Sequence, residues 1–526
     1  MSDVENKPNA QRLLWAGFMA ILAAGVGFSV RGGILGQWAE QFGFTMAELG
    51  KITGGGLTGF GLVIIITSLF ADKVGYGKLM VLAFLLHFIS AVVTLAAPAA
   101  FASGGKEAAF TCLFWGMFIF AVGNGVCEAV VNPLVATLFP NNKSHYLNIL
   151  HAGWPAGLVI GGLAAYFMAA QTNEAGAVIA KAIDWKVQMS LFLVPVIIYG
   201  LMLMGQKFPK SEASAAGVGV GQMLASVATP LMLILLLLHA MVGYVELGTD
   251  SWISKITGSI MASPQKGLML FVYTSMLMFA LRFIAGPIVH RISPLGLLFV
   301  SAVLGVVGLT LLSRAEGVAM CIIAATVYAC GKTFLWPTML AVGSEQFPKG
   351  GAVALGLMGG VGMLSAGMLG GPAIGFKQDY NASAQLKEAA PATYARYQSM
   401  DKDGKPQENS FLGFKTVGLD GAKVGVLVDN GKELARVDAL LAKEGRTDAN
   451  HTSLRSWWDD ASKYATAETS NDAKKVEAAG LHGGRMALKI TSIVPACLAV
   501  GYLLLLLYFK AKGGYKAKHV DGREAH

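Results

Sequence analysis

Long apolar segments alternate with short polar ones along almost the whole chain. A helix needs about 20 predominantly apolar residues to cross a bilayer. Twelve segments approach or meet this requirement, at 13–37, 48–71, 79–101, 109–139, 147–170, 187–206, 228–257, 266–290, 294–313, 318–343, 350–376 and 486–509. The pattern therefore predicts an all-α integral membrane protein with twelve transmembrane helices.

One long polar segment, residues 377–485, separates the eleventh predicted helix from the twelfth. It contains 16 Lys and Arg residues and 16 Asp and Glu residues, so it is close to neutral. We expect two or three short helices here and a strand pair within 414–428. The segment is predicted to be an extracytoplasmic insertion.

The helices divide into two halves that share sequence features. Glu128 stands five residues before Pro133 in the fourth helix, and Lys332 stands five residues before Pro337 in the tenth. Such internal repeats are typical of transporters whose site lies at the repeat interface. We predict one six-helix half at 1–206 and a second at 228–376 with 486–526. A cytoplasmic linker, 207–227, joins them, and the insertion occupies 377–485.

The positive charges of the short loops give the chain a direction. With the N-terminus in the cytoplasm, the loops and tails on that side carry Lys7, Arg12, Lys73, Lys78, Lys143, Lys207, Lys210, Arg291, Lys349, Lys510, Lys512, Lys516, Lys518 and Arg523. The opposite short loops carry Lys51, Lys106, Lys181, Lys186, Lys255, Lys266 and Arg314. Cytoplasmic loops are enriched in Lys and Arg, so we expect both termini in the cytoplasm.

Composition excludes several functional classes. The chain is 54% hydrophobic and only 14% charged, and its net charge of +9 lies in short loops and the C-terminal tail, which argues against a nucleic-acid partner. The five cysteines lie in apolar segments without metal-ligand spacing. No nucleophile–base pairing or phosphate loop is present, so we do not expect an enzyme or a cofactor.

Six charged residues within predicted helices are candidates for a functional role: Arg31, Glu128, Glu246, Asp250, Arg282 and Lys332. Such residues are costly in a membrane and usually face the interior of the bundle. Glu128 lies about 16 Å from the cytoplasmic end of its helix, near the bilayer centre. We expect it to face Lys332 across a central cavity. A proton-coupling role and a permanent structural ion pair both remain open.

Two sets of residues are predicted to act near the cytoplasmic face. The stretch Asp72–Lys78 resembles the loop motif of the major facilitator superfamily, which implies a gating role for Asp72 and Lys73. Arg282 lies about 13 Å inside the cytoplasmic face. We expect it to form a structural or gating pair with Glu345, close to Arg291.

Five short motifs occur in the order found in one transporter family. They are Glu128-Ala-Val-Val-Asn132-Pro133, Leu147-Asn148-Ile-Leu-His151, Glu246 six residues before Trp252, Trp336-Pro337-Thr338 and Pro372-Ala-Ile-Gly375. In this order they resemble the fucose–proton symporter family of the major facilitator superfamily. The resemblance covers most of the chain outside 377–485, and it implies sugar uptake driven by a cation gradient.

The resemblance also implies a set of binding residues. It assigns Glu128, Asn132 and His151 to the cavity, and Glu246 and Trp252 to its outer part. Trp154, three residues after His151, faces the same side, and we add Gln37, Lys332 and Trp336 as substrate contacts. Arg31 or Gly32 occupies the region where the family has an Asp in its first helix. Arg31, Glu128 and Lys332 are therefore our candidates for coupling, with H⁺ or Na⁺ as the ion.

The sequence leaves three functional hypotheses open. The first is a monomeric, cation-coupled sugar symporter of a bacterial inner membrane. The second is an organic-anion or phosphate-ester transporter that uses Arg31 and Lys332 as anion ligands. The third is a non-transporting receptor that uses residues 377–485 as its sensor.

Overall fold

The computed structural model describes residues 9–44, 46–53, 56–169, 171–172, 178–180, 182–401, 403–445, 447–466 and 471–520. Lys7, Lys181 and Arg523, which contribute to the charge pattern above, lie outside these residues. Within the described ranges, eleven helices are long and apolar enough to cross a membrane. The chain is thus a mostly helical membrane protein, as the apolar pattern predicts.

The first helical group comprises α1–α10 and one short strand pair. Its bounds are α1 (Ala10–Gly33), α2 (Leu35–Phe42), α3 (Met46–Thr53), α4 (Gly56–Val74), α5 (Tyr76–Leu95), α6 (Ala97–Leu138), α7 (Lys143–His151), α8 (Gly153–Met168), β1 (Gln171–Thr172), β2 (Val178–Ala180), α9 (Trp185–Ser190) and α10 (Leu193–Leu203). A 3₁₀ turn, Pro140–Asn142, precedes α7. The strands pair antiparallel. Gly105 has φ 68° and bends α6, which divides the predicted third helix from the fourth.

The second helical group follows two short linker helices. The bounds are α11 (Glu212–Ala215), α12 (Val220–Val227), α13 (Pro230–Gly243), α14 (Thr249–Ile260), α15 (Pro264–Arg282), α16 (Ala285–Ser313), α17 (Gly317–Lys332), α18 (Leu335–Gln346), α19 (Gly351–Ser365) and α20 (Gly371–Ala389). Two π-helical turns, Tyr244–Gly248 and Ala366–Gly370, join α13 to α14 and α19 to α20. A 3₁₀ turn, Pro348–Gly350, precedes α19.

Helix α15 is the predicted span that is absent from the eleven. It has 19 residues, but Gln265, Lys266 and Arg282 at its ends lower its hydropathy. It packs against α8 and α17 within the bundle. Ser293, at φ 65°, marks the turn between the predicted eighth and ninth helices inside α16. The structure is compatible with twelve spans, and the count itself stays a prediction, as do the domain boundaries.

The insertion forms a small core of its own before the chain returns to the membrane. Its elements and the last helices are α21 (Pro391–Tyr397), β3 (Glu408–Phe411), β4 (Phe414–Val417), α22 (Gly421–Asp429), α23 (Lys432–Glu444), α24 (Ala449–Ala465), α25 (Asp472–Thr491) and α26 (Ile493–Ala511). Tyr397, Leu434 and Trp458 are buried together in this core. The predicted strand pair is wrong in its second strand, because β4 pairs with the preceding β3. Residues 421–429 are helical instead, since the Asp420 carboxylate caps their first turn.

Helices α20 and α25 run side by side from the membrane into the insertion. They approach so closely that a Cβ atom on Gly483 would lie 2.4 Å from the carbonyl oxygen of Gln378. Farther out, Asp472 accepts two hydrogen bonds of 2.8 Å from Arg396. We call α20 and α25 the stalk. It fixes the insertion to the second helical group.

The insertion also extends towards the first helical group. Hydrogen bonding to the Glu433 carboxylate raises the pKa of Arg436 in α23, and the charge of Glu40 in α2 adds to this increase. Helix α23 therefore lies near α2. We call this side of the bundle the insertion face, and the side where α1 begins and α26 ends the terminal face.

The two π-helical turns, and the helices α13 and α19 that precede them, lie against each other through glycines. A Cβ atom on Gly243 would lie 2.0 Å from the carbonyl oxygen of Gly362, and one on Gly248 would lie 2.7 Å from the Cα of Gly370. Membrane helices approach this closely only through small residues. π-helical turns often occur at functional sites. Glu246 lies within the first of these turns, which makes it a candidate functional residue.

We expect Gly243→Ala to destabilise the protein. The new methyl group would collide with the backbone of α19, and overpacking of this kind costs about 1–3 kcal/mol. Thermal unfolding of the purified variant in detergent measures the effect as a lower melting temperature. Gly480→Ala is the matched control, because it also lies within a helix but has open space around it. Equal melting temperatures for the two variants would contradict the close packing.

Candidate functional site

A chain of hydrogen bonds links three of the predicted binding residues. Glu128 and Asn132 lie one turn apart in α6, and the Asn132 amide nitrogen donates to Glu128 Oε2 at 2.7 Å. The amide oxygen of Asn132 is then free to accept from His151 Nε2, at 2.8 Å. All three side chains are buried. The fourth and fifth predicted helices are thus joined at the level of Glu128.

Arg282 forms the link between the two helical groups at this site. Its Nη1 donates to the carbonyl oxygen of His151 at 2.5 Å, and its Nη2 donates to Glu246 Oε1 at 2.8 Å. Its Nε donates to the carbonyl oxygen of Thr333 at 2.9 Å. Arg282 is 1% exposed, so its positive charge depends on these three acceptors. One of them belongs to the first group and two to the second.

Two prolines make the carbonyl acceptors available. Pro155 follows His151 by four residues, and Pro337 follows Thr333 by four. A proline has no N–H, so the carbonyl four residues before it loses its helical hydrogen bond. Helices also break near both places, between α7 and α8 and between α17 and α18. The guanidinium of Arg282 satisfies both of the carbonyls that the prolines leave free.

A cavity lies beside this network, and the empty space within it, open solvent included, is about 280 Å³. Its lining consists of Glu128, His151, Trp154, Glu246, Leu247, Arg282, Trp336 and Met363. Two carboxylates, an imidazole and a guanidinium thus share one small space with two indole rings. Such a lining offers hydrogen bonds in several directions and flat apolar surfaces for a small polar molecule.

Lys332 lies behind this cavity and has a different partner from the one expected. Its ammonium group forms an ion pair with Asp250 in α14, and it lies 5.5 Å from the ring centre of Tyr328. Glu128 instead bonds to Asn132. The predicted Glu128–Lys332 pair is therefore not formed, because the ammonium group pairs with Asp250, which lies one turn after Glu246.

Arg31 does not belong to the cavity. It is buried inside the first helical group, with its guanidinium carbon 3.9 Å from the ring centre of Phe120. It donates to the carbonyl of Gly27 and to Ser90, and no described carboxylate forms an ion pair with it. The structure thus separates Arg31 from Glu128 and Lys332, its expected partners in coupling, because its side chain lies beneath Phe120.

Two other predicted contacts also lie outside the cavity. Gln37 donates to the carbonyl of Ile183 at the insertion face. The indole N–H of Trp252 donates to the carbonyl of Gly371 at 2.8 Å. Of the nine predicted binding residues, Glu128, His151, Trp154, Glu246 and Trp336 line the cavity, and Asn132 joins two of them.

The predicted gating residues lie near the terminal face, with one exception. A Cβ atom on Gly351 would lie 3.3 Å from Asp72 Oδ2. The carboxylate therefore faces the beginning of α19, where the helix dipole favours negative charge. Lys73 and Arg291 are exposed. The exception is Arg282, which belongs to the cavity network.

Glu345 is held by the C-terminal tail instead of by Arg282. Its carboxylate accepts a hydrogen bond of 2.6 Å from the hydroxyl of Tyr515, and its carbonyl accepts one of 2.9 Å from the Lys518 amide. The predicted Arg282–Glu345 pair is therefore not formed. Residues 512–520 follow α26 and fold back beneath the end of α18, which fixes the tail to the second helical group.

Two buried histidines differ from each other. His87 contacts Tyr199 and Asn124, each at 2.9 Å, as expected for a satisfied core residue. Neither ring nitrogen of His239 has a hydrogen-bond partner among the described residues, and the ring lies 4.6 Å from that of Trp336. Both histidines lie in apolar segments, which favour a satisfied core residue over a ligand; His239 is buried as expected but lacks hydrogen bonds, and its ring packs against Trp336 of the cavity wall.

The chain was compared with known proteins. The model of the Major Facilitator Superfamily matches residues 17–371. The transporter FucP, solved in the outward conformation, has a TM-score of 0.56 at 18% identity, over 72% of this chain and 92% of that one. The proton:xylose symporter XylE, bound to 6-bromo-6-deoxy-D-glucose, has a TM-score of 0.56 at 13% identity, over 72% and 90%.

A third solved structure is the human organic anion transporter MFSD10, with a TM-score of 0.52 at 14% identity, over 73% of this chain and 95% of that one. No curated protein sequence matches the chain. At these identities the solved structures establish the fold alone.

In the described residues, no group of three His, Cys, Asp or Glu side chains could hold a metal ion.

We expect Arg282→Gln to lower the stability of the protein strongly. It leaves Glu246 buried without its cation, and breaking a buried ion pair from one side costs about 3–5 kcal/mol. The double variant Arg282→Gln/Glu246→Gln removes both charges and should recover part of the loss. Thermal unfolding of the wild type, both single variants and the double variant measures the coupling. Additive effects of the two substitutions would show that the pair does not interact.

Proposed function

Because this chain belongs to the major facilitator superfamily, whose members are transporters and not enzymes, we propose that it takes up a sugar together with a proton. The uptake is a secondary active symport by alternating access. The proposal concerns the solute class and the coupling ion. It rests on the cavity and on the charges around it.

The lining of the cavity is the observation that carries the proposal. Glu128, His151 and Glu246 provide hydrogen-bond acceptors and donors for hydroxyl groups, and Trp154 and Trp336 provide flat apolar faces. A sugar has both kinds of surface, hydroxyl groups at its rim and C–H groups on its faces. The fold shared with XylE, a proton:xylose symporter by its title, agrees with this solute class.

The balance of charges favours a coupled cation. Glu128, Glu246 and Asp250 are three carboxylates, and Arg282 and Lys332 are the two cations beside them. One excess negative charge at this depth is costly, and a single bound proton removes it. We assign that proton to Glu128, whose neighbour Asn132 has an amide that can pair with either form of a carboxyl group.

The orientation and the gates follow from the same proposal. The short loops on the terminal side carry more Lys and Arg than those on the opposite side, which favours a cytoplasmic terminal face. We propose that the protein lies in the bacterial inner membrane and that it functions as a monomer. Asp72 of the first group, which faces the beginning of α19 in the second group, would then help to hold the cytoplasmic side closed. The insertion would cover the opposite side.

An organic-anion transporter is the second candidate. Arg282 lines the cavity and could bind a carboxylate or phosphate, and the fold is shared with MFSD10, an organic anion transporter by its title. This differs from the anion ligands expected from the sequence, since Lys332 is neutralised by Asp250 and Arg31 lies elsewhere. Two carboxylates in the same cavity weigh against an anion.

An uptake screen in proteoliposomes tests the proposed solute and ion. We expect a neutral monosaccharide to accumulate when an inward proton gradient is imposed, and sugar phosphates to compete poorly. A sodium gradient without a pH difference should give no accumulation. Accumulation with sodium alone would assign the coupling to Na⁺, and preferred uptake of sugar phosphates or organic anions would support the second candidate.

We expect Glu128→Gln to abolish proton-driven accumulation while solute exchange continues. The amide cannot bind and release a proton, but it keeps the size and hydrogen-bonding capacity of the side chain. Uphill uptake and counterflow in proteoliposomes measure the two activities. Glu316→Gln is the matched control, because Glu316 is exposed at the start of α17. Unchanged uphill uptake in Glu128→Gln would rule out this residue as the coupling site.

A further inference from the structure

The hairpin of β3 and β4 carries an unusual amount of exposed apolar surface at its tip. Leu412 and Gly413 form the two-residue turn, with φ values of 49° and 86°. Leu412 is 76% exposed and Phe414 is 67% exposed. Two large apolar side chains that stand two residues apart and are both exposed at one hairpin tip indicate a contact surface.

The tip points along the stalk towards the membrane. At the base of the hairpin, a Cβ atom on Gly418 would lie 3.7 Å from Cβ of Asp379. Near the tip, the ring of Phe411 lies 5.9 Å from that of Phe376. Phe376 precedes Asp379 in α20 and is closer to the membrane-spanning part of that helix. The hairpin therefore descends along α20 as it approaches its turn.

Several contacts place Phe376 at the edge of the membrane. It shares one face of α20 with Pro372 and Tyr380, four residues before and after it, and Tyr380 is 42% exposed. Helix α25 offers an independent depth marker. The stalk residue Arg485, just before the last apolar segment, donates to the carbonyl of Ala315 in the loop between α16 and α17.

These depth markers agree with each other. Gly483, two residues from Arg485, packs against Gln378, two residues from Phe376. The loop after α16, the beginning of the last apolar segment and the end of the apolar part of α20 thus lie at one level. Aromatic residues are enriched at this level of membrane proteins.

We propose that the β3–β4 tip is a membrane anchor, in which Leu412 and Phe414 enter the interfacial region of the outer leaflet beside Phe376. The occupant of this surface is the lipid bilayer, because the tip continues the apolar face of a helix that itself crosses the membrane. Lys415 follows Phe414 and pairs with Glu408 at 3.1 Å; both side chains are largely exposed, so the ammonium group can also meet lipid phosphates. The proposal does not depend on which solute is transported.

The anchor would fix the insertion at two points. The stalk ties it to the second helical group through α20 and α25, and the hairpin would tie it to the lipid surface. Helix α20 begins at the π-helical turn Ala366–Gly370, which contacts the turn that carries Glu246. The outer ends of these helices would therefore be held relative to the bilayer while the rest of the bundle moves.

Depth-dependent quenching tests the anchor directly. The five native cysteines are replaced by alanine, and a single cysteine at Leu412 is labelled with an environment-sensitive fluorophore in the full chain. In phosphatidylcholine vesicles, we expect a nitroxide on the lipid acyl chain near the headgroup to quench this label at least about twofold more than it quenches a label at an aqueous position. Aqueous iodide should quench it weakly.

Glu388→Cys is the matched control. It is exposed on the same helix as Phe376 but twelve residues farther out, which is about 18 Å along the axis. Its label should respond to iodide and not to lipid nitroxide. A second label at Phe414 should behave like that at Leu412. If labels at 412 and 414 respond like the one at 388, the tip lies in water, free for a soluble partner, and the anchor proposal fails.

Discussion

The structure depends most on how one buried arginine is satisfied. A guanidinium in the middle of a membrane bundle must find acceptors within the protein, and Arg282 finds a carboxylate and two backbone carbonyls. The two carbonyls lack their helical donors because Pro155 and Pro337 have no N–H. The two helical groups thus meet at an interaction that neither could form alone, and the cavity lies beside it.

This arrangement explains why the site combines charge with broken helices. The interruptions at α7–α8 and α17–α18 and the π-turn that contains Glu246 all lie around the same cavity. Irregular backbone is tolerated inside a membrane where protein surrounds it. A motion that separates the groups would break the contact between Arg282 and His151 while Glu246 and Thr333, in the same group as Arg282, retain theirs. Arg282 would then stay with the second group and expose the cavity.

The sequence predicts the spans well and the side-chain partners poorly. Apolar length identifies membrane helices because each must bury its backbone polar groups within a single segment. The carboxylates and cations were recognised in the same way, from their cost in lipid. Their pairing depends on helix rotation, which a π-turn alters by a fraction of a turn. Asp250 therefore pairs with Lys332, and Glu246 pairs with Arg282, whereas the repeat predicts a pair between Glu128 and Lys332. Pro155 stands four residues after His151, so the sequence indicates that the His151 carbonyl lacks its helical donor. The sequence does not indicate that Arg282 is the group that binds this carbonyl.

The insertion shows a similar division between local and long-range information. Asp420 is a capping residue before residues 421–429 and could have identified α22, although we predicted a strand there. The closeness of the stalk helices depends on Gly483, and no local pattern reveals which backbone it meets. Its consequence is mechanical. Because the insertion is joined to α20 and α25 without a flexible linker within their described length, a force on its outer surface reaches the paired π-turns through continuous helix. Glu246 lies in the other π-turn, so α20 and the packed π-turns connect the insertion to the charged cavity.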